Sequence, residues 1–429
     1  MIVPLFMHGS SNVVSLKNYA KNKIQDYQNV TSIPEKNYKW LDRKLTVINA
    51  NSAFEKCSKL TSFPDFKFDM SKCTDMFFMF QGCTSLVDLD VSNWDTSNVT
   101  NMTGIFNSCN SLTKIDVGNW NTSKITNMET IFRECKSLVN LNIDNWNVSN
   151  VTSMQWMFDS CNSLTSLNLS KWDTSNVVDM FGAFSDCNSL SSLNLENLNT
   201  AKVKDMSMIF LDCSSLSTLN VDSFDTSSVT NMFFMFCGCS SLKSLNIGHF
   251  NTSNVANMQG TFRNCSKIMS LDVSKWNLSK CKTIEGMFLG CTLLTTLDVS
   301  NWNTSNVTNM RDVFCWCESL FRIDVSSWNT SNVTDMYEMF CNCFSLTLLD
   351  ISNWNTSKVT TMNSMFTDCR SLASITGAID MSSCTDCKYM FNRCNNLKGV
   401  HLKNVPRSLD RSKIGGTAGV TYIIDNYID

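Results

Sequence analysis

Three sets of residues in this 429-residue chain carry chemistry: twenty-one cysteines, a row of aspartates at constant interval, and aromatics standing where neighbouring copies of a repeat are polar. Thiols can hold metals, pair, or act as nucleophiles, depending on what surrounds them. Thirteen cysteines from Cys57 to Cys369 follow one another at steps of 26, and Cys394 comes one residue early. If each begins an equivalent place on a stacked coil, successive Cα atoms lie ~5 Å apart, within disulfide reach. Ladder side chains run parallel, however, and an unstrained bridge needs them to converge. A column of buried, reduced thiols is therefore expected. Extra cysteines make Cys-x-Cys pairs at Cys237/Cys239, Cys315/Cys317 and Cys341/Cys343. The last two fall on adjacent coils, where four sulfurs could approach. On a helix, residues i and i+2 face different ways, so Cys315 and Cys341 are expected on a helix surface and no metal is assigned.

The aspartates sit between two apolar residues of an L-x-x-L-x-L pattern, so they should face outward from a short strand. Asp272, Asp298, Asp324 and Asp350 form the longest run of carboxylates, with Asn in the middle of the column. Like charges at strand spacing repel unless cations such as calcium, pKa shifts or hydroxyl donors relieve them. This is the candidate polar face. Phe77, Phe78, Trp156, Phe181, Phe233, Phe234, Trp316, Tyr337 and Phe344 occupy slots that are polar in other copies, and are the candidate partner-binding residues. A second aromatic column is different: Trp94, Trp120, Trp146, Trp172, Trp276, Trp302, Trp328 and Trp354, with Leu198, Phe224 and Phe250 in the gap. Exchange of Trp for Leu or Phe keeps bulk, which suits core packing.

The elements that must position these residues follow from two periodicities. Val307, Met310, Val313, Phe314 and Cys317 recur at steps of three and four, predicting a short helix with Thr308 as its N-cap. Leu320, Ile323 and Val325 predict a short strand. One such unit cannot bury its own apolar face, so stacking must build the core. The expected fold is an α/β solenoid: a right-handed coil with one parallel β-sheet face and short helices on the opposite face. The sequons Asn303-Thr304-Ser305 and Asn306-Val307-Thr308 then arise from turn and cap residues repeated along an array.

The signature W-N-T-S-N-V-T-N-M-x-x-M-F-x-x-C-x-S-L-x-x-L-D-V-S resembles the BspA-type leucine-rich repeat of bacterial surface proteins and mycoplasma lipoproteins, over roughly residues 44 to 400. The resemblance implies a solenoid used for binding or adhesion, with members on bacterial surfaces, in some protists and in bacteriophages. The expected organisation is an N-terminal cap or anchor (1–43), the array (44–399) and a C-terminal cap (400–429).

Net charge is −3, which offers no basic excess for nucleic acid. No apolar run spans a membrane, and the N-terminal stretch lacks the features of a Sec signal peptide. No phosphate loop, His-centred triad or metalloprotease helix is visible among His8, His249 and His401 or elsewhere. The sequence thus predicts no enzyme and no cofactor. Its expected partners are a protein or surface glycan of a host cell, or neighbouring structural proteins docked through the N-terminal segment. Many thiols suggest folding in a reducing compartment, which leaves a virion or cytoplasmic protein as the expectation and a cell-surface adhesin as the alternative.

Overall fold

The computed structural model describes residues 13–23, 28–30, 45–63, 68–409, 414–415 and 420–429. The chain forms two compact units, Met1–Val177 and Val178–Asp429. Each is a stack of 26-residue coils joined by parallel pairing. In the first unit Ser62–Phe63 pairs with Asp88–Leu89. In the second, Ser270–Leu271 pairs with Thr296–Leu297, and Leu348–Asp350 with Ser374–Thr376, each at an offset of 26. These ladders are two or three residues long, shorter than the continuous sheet the repeat suggested. A second line of parallel bridges runs through the position two residues after the Val of the V-T-N/D segment, for example Asp205↔Asn231 and Asn309↔Asp335.

The helices expected in each coil are absent among the described residues. Leu16–Lys23 is the one α-helix among the described residues. Residues 76–83 show what replaces them. Met79 N–H bonds Met76 O at 3.2 Å and Cys83 N–H bonds Phe80 O at 3.1 Å, closing two β-turns. Their third residues, Phe78 and Gly82, have φ of 53° and 72°, as a type II turn requires. The intervening amides point out of the coil: Met76, Phe78, Phe80 and Gly82 donate to Asn101, Thr103, Ile105 and Asn107 at 2.8–3.0 Å. The same two left-handed slots recur in later coils, at Asp312 and Trp316 and at Glu338 and Asn342. A helix would need all these amides to bond four residues back within the chain. Here alternate amides bond the next coil instead. Successive turns also bring every third or fourth residue to the same side, which is why the spacing of Met76, Met79, Phe80 and Cys83 imitates a helix. Thr308 is accordingly no N-cap; its N–H and Oγ1 both donate to Lys282 O, at 3.0 and 3.2 Å.

Three columns fill the core. The Phe of each M-F-x-x-C stacks on its neighbours, with ring centroids 5.4–5.7 Å apart from Phe184 to Phe236 and from Phe262 to Phe391. The tryptophans of the second aromatic column are buried, and from Trp120 onward their Nε1–H groups donate to a carbonyl 29 residues earlier, as Trp302 does to Val273 O at 3.0 Å and Trp328 to Val299 O at 3.1 Å. The indole nitrogen is therefore used, a role that the Leu and Phe replacements had hidden. All 21 cysteines are buried thiols. From Cys83 to Cys161 and from Cys213 to Cys394, each ladder thiol donates to the carbonyl of the preceding coil's Phe at 2.9–3.2 Å. Burial pushes Cys57 and Cys291 up to about 12. Sulfur thus serves here as a small apolar filler with one satisfied donor.

At the N-terminal side, Val13–Ser15, Leu45–Asn49 and Phe68–Asp69 form a three-stranded parallel sheet, with Leu16 and Ala20 of the helix buried. Near the other end Ala378–Asp380, Gly399–Lys403 and Thr421–Ile424 form another.

Candidate functional site

The strand face of the second unit opens into a trough of about 1280 Å³ between Ser270 and Thr376. All four carboxylates of the candidate polar face line it. Each is held by the serine two residues on. Asp272 Oδ1 accepts from Ser274 N at 3.2 Å and Oγ at 2.7 Å, and Asp350 Oδ1 from Ser352 N at 2.9 Å and Oγ at 2.6 Å. Asp298 and Asp324 make the same pair with Ser300 and Ser326. The D-V-S of the repeat is therefore an Asx turn. Its hydroxyl, aided by the serine amide, holds Asp272 and Asp350 below the usual carboxylate range. Of the three ways to relieve the carboxylate row, hydroxyl donation is the one built into the coil.

The same trough carries apolar side chains that the sequence reading passed over. Phe321 is 44% exposed and Leu348 59% exposed, in slots filled elsewhere by residues such as Thr295 and Ser270. Both line the trough beside Arg322, and Met269, also exposed, lies in the slot of Phe321 two coils earlier. The signal that could have found them is the one applied to the other aromatics: a large apolar residue where the repeat calls for Ser or Thr.

The nine candidate aromatics lie on the turn segments. In the first unit Phe77 and Phe78 stack at 3.9 Å, and Trp156 lies under the Arg133 guanidinium at 5.3 Å. In the second unit Phe181 is half-buried, and Phe233 and Phe234 stack at 4.2 Å. Two have a structural task. A β-carbon on Gly104 would fall 2.3 Å from the Phe78 ring, and one on Gly260 would fall 2.0 Å from Phe234. The ring of one coil thus lies against the bare backbone of the next, where φ is 59° and 60°.

Trp316, Tyr337 and Phe344 form a group with arginines. The Trp316 ring meets Phe344 edge-on at 6.2 Å, Arg370 sits over Phe344 at 4.7 Å, and Arg311 sits over Tyr337 at 3.9 Å. Trp316 is 45% exposed.

Cys315 and Cys341 depart from expectation. They are buried, at 1% and 5% exposure, because the segment is a turn and not a helix, so its side chains do not follow helical facing. Their sulfurs and a Glu338 carboxylate oxygen all lie within 4.8 Å of one another, and Cys315 Sγ is 3.8 Å from Glu338 Oε2. Nearby Asp312 is pushed up to about 6, chiefly by burial.

The coils, their parallel pairing and their buried columns define a leucine-rich-repeat-type scaffold. The chain belongs to the family described as Mycoplasma protein of unknown function, DUF285, which matches residues 48–167, 137–219, 212–314 and 291–404; this is the BspA-like repeat that the Trp-to-Cys signature resembles. Among solved structures it is similar to a leucine-rich repeat protein from Bacteroides ovatus, at 17% identity over 86% of this chain and 88% of that one, with a TM-score of 0.39. A leucine rich cell surface protein from Faecalibacterium prausnitzii gives 17% identity over 97% and 90%, with a TM-score of 0.39. The functional domain of InlJ from Listeria monocytogenes, which includes a cysteine ladder, gives 14% identity over 88% and 68%, with a TM-score of 0.22. A search of curated proteins found no match. No helix among the described residues is long and apolar enough to cross a membrane.

Proposed function

We propose that this protein is a non-enzymatic, adhesin-like scaffold that binds a protein or glycan partner in the trough of its second unit. The observation that carries this reading is the exposure of Phe321 and Leu348 in a row of carboxylates and hydroxyls. A purely structural strand face has no use for them, because an array stacks equally well with the Thr and Ser of its other copies. Large apolar side chains ringed by polar groups are the usual anatomy of a binding hot spot. Asp272, Asp298, Asp324 and Asp350 line the rim and favour a partner with basic or hydroxyl-rich groups. The aromatic and arginine group at Trp316, Tyr337 and Phe344 offers a second contact area on the turns of the same coils.

Presentation on a bacteriophage particle or a cell surface belongs to this proposal, and immunogold labelling of particles and cells separates the two. For the trough itself, labelled protein is applied to a glycan array and to a panel of whole cells. Phe321→Ser with Leu348→Ser, which restores the repeat's own polarity, should lower binding at least about tenfold. Unchanged binding by a folded double variant would remove the trough from the function.

A further inference from the structure

Among the fourteen coils, the slot five residues before the ladder cysteine holds a carboxylate in two, Asp312 and Glu338. The slot two residues before it holds a cysteine in three, Cys237, Cys315 and Cys341. The rare carboxylate and the rare thiol thus coincide in two coils, and those coils are neighbours: Met310 and Asp312 donate to Asp335 and Tyr337 across the stack. In Cys237's coil the first slot is Phe234, and no such pair forms.

The turn geometry brings each pair together. Cys315 N–H bonds Asp312 O at 3.2 Å and Cys341 N–H bonds Glu338 O at 3.0 Å, so each turn closes its carboxylate residue onto its thiol residue. Stacking then sets one pair against the other. The result is the Cys315, Cys341 and Glu338 cluster, with every ligand atom within 4.8 Å of the rest. Two thiolates on a tetrahedral zinc at ~2.3 Å stand roughly 3.8 Å apart, with a carboxylate oxygen at ~3.5 Å from each sulfur. The 3.8 Å from Cys315 Sγ to Glu338 Oε2 is already close to that.

Two further observations separate this cluster from the ladder. The ladder thiols next to it, Cys317 and Cys343, donate to the backbone carbonyls of Phe288 and Phe314. Cys315 turns instead to the Glu338 carboxylate, and Cys341 Sγ accepts from Asn342 Nδ2 at 3.2 Å. Beside them, Asp312 Oδ1 is buried without a hydrogen-bond partner, while Oδ2 meets Arg311 Nε at 3.4 Å. A buried carboxylate oxygen with nothing to accept is costly unless a cation satisfies it.

We propose that Cys315, Cys341 and Glu338 bind one thiophilic divalent cation of the zinc class, with the fourth position left to a water or other exogenous donor. Two sulfurs and a carboxylate form a borderline-soft set that excludes calcium and magnesium and suits zinc, cobalt or cadmium. Binding displaces the two thiol protons to solvent and leaves the metal's oxidation state unchanged. The ion would clip together the two coils whose turns carry Trp316 and Tyr337. This inference stands apart from the trough: either can fail without the other.

The test uses the full chain, reduced and stripped of metal, titrated with cobalt(II) alone and followed by the thiolate-to-metal charge-transfer band in the near ultraviolet. Saturation near one equivalent is expected. Variants borrow the residues of the next coil, Thr367 and Ser364, so that the slots keep side chains this array already folds with. C315T/C341T should abolish the band, and E338S should raise the Kd at least about tenfold. The ladder variant C291S should leave the band unchanged, and zinc should displace cobalt and bleach it. No thiolate band in the wild-type chain, a band that survives in folded C315T/C341T, or one lost only with C291S would each overturn the site. Circular dichroism of every variant separates lost binding from lost folding.

Discussion

Replacing Trp302 with Phe tests how the tryptophan column holds the stack. Trp302 is 2% exposed, its ring lies 5.9 Å from Trp328 and 6.3 Å from Phe288, and its Nε1–H donates to Val273 O. Phenylalanine is tolerated at this slot in the coil of Phe224. There Ser223 Oγ donates to Leu195 O at 3.2 Å, the carbonyl 29 residues before Phe224 that an indole would otherwise reach. Where a Trp is present the same serine position turns elsewhere: Ser327 donates to Ser300 O while Trp328 holds Val299 O. The residue before Trp302 is Asn301, which makes no such substitution. Trp302→Phe therefore removes three heavy atoms from a packed stack, about 1–2 kcal/mol. It also orphans a buried carbonyl, about 1–2 kcal/mol more. The expected loss is about 3 kcal/mol. Adding Asn301→Ser should return about 1 kcal/mol by supplying the hydroxyl, and Asn301→Ser alone should be nearly neutral. Because a repeat array unfolds locally, hydrogen exchange of peptides spanning residues 290–330 is the direct readout. Exchange should quicken about a hundredfold in Trp302→Phe and slow again in the double variant. A cost under about 1 kcal/mol, or no recovery on adding the serine, would refute the assigned role of the indole N–H.

Two predictions follow from the turns and the thiols. Gly260→Ala must both enter the left-handed region and displace the Phe234 ring, whereas a β-carbon on Gly286 meets nothing nearer than 3.8 Å. Gly286→Ala should cost about 1 kcal/mol and Gly260→Ala roughly twice that, read as a larger drop in melting temperature; equal drops would remove the ring contact from the account. Buried ladder thiols also set an alkaline limit. Burial raises Cys57 and Cys291 from the ordinary value of 9.0 up to about 12. Their contribution is therefore whole below pH 9 and is lost as pH rises from 9 towards 12. Each thiol adds a slope of about 1.4 kcal/mol per pH unit in that window. Urea midpoints measured from pH 8 to 11 should fall steeply, and Cys291→Ala should flatten the fall; constant stability across that window would contradict buried protonated thiols.

The coil register and the solenoid were legible in the chain alone. A 26-residue step repeated from Cys57 to Cys369 fixes which residues stack on which, whatever the local conformation, because only register decides the columns. The burial of Cys, Phe and Trp, and the outward aspartates, followed from that register. The sequence also held the clue to the missing helices: glycine recurs at the two left-handed slots, at Gly82, Gly104, Gly182, Gly238, Gly260, Gly286 and Gly290. A period of three and four outweighed it, since helices and consecutive β-turns bury the same positions. Packing of coil on coil chose between them, because alternate amides of the segment find their acceptors 25 residues away on the next coil. It also decided the sites. Phe321 and Leu348 share a trough, and Cys315, Glu338 and Cys341 come within 4.8 Å of one another on the turns. Those groupings depend on side-chain directions that differ between a turn and a helix, and spacing along the chain does not encode that difference.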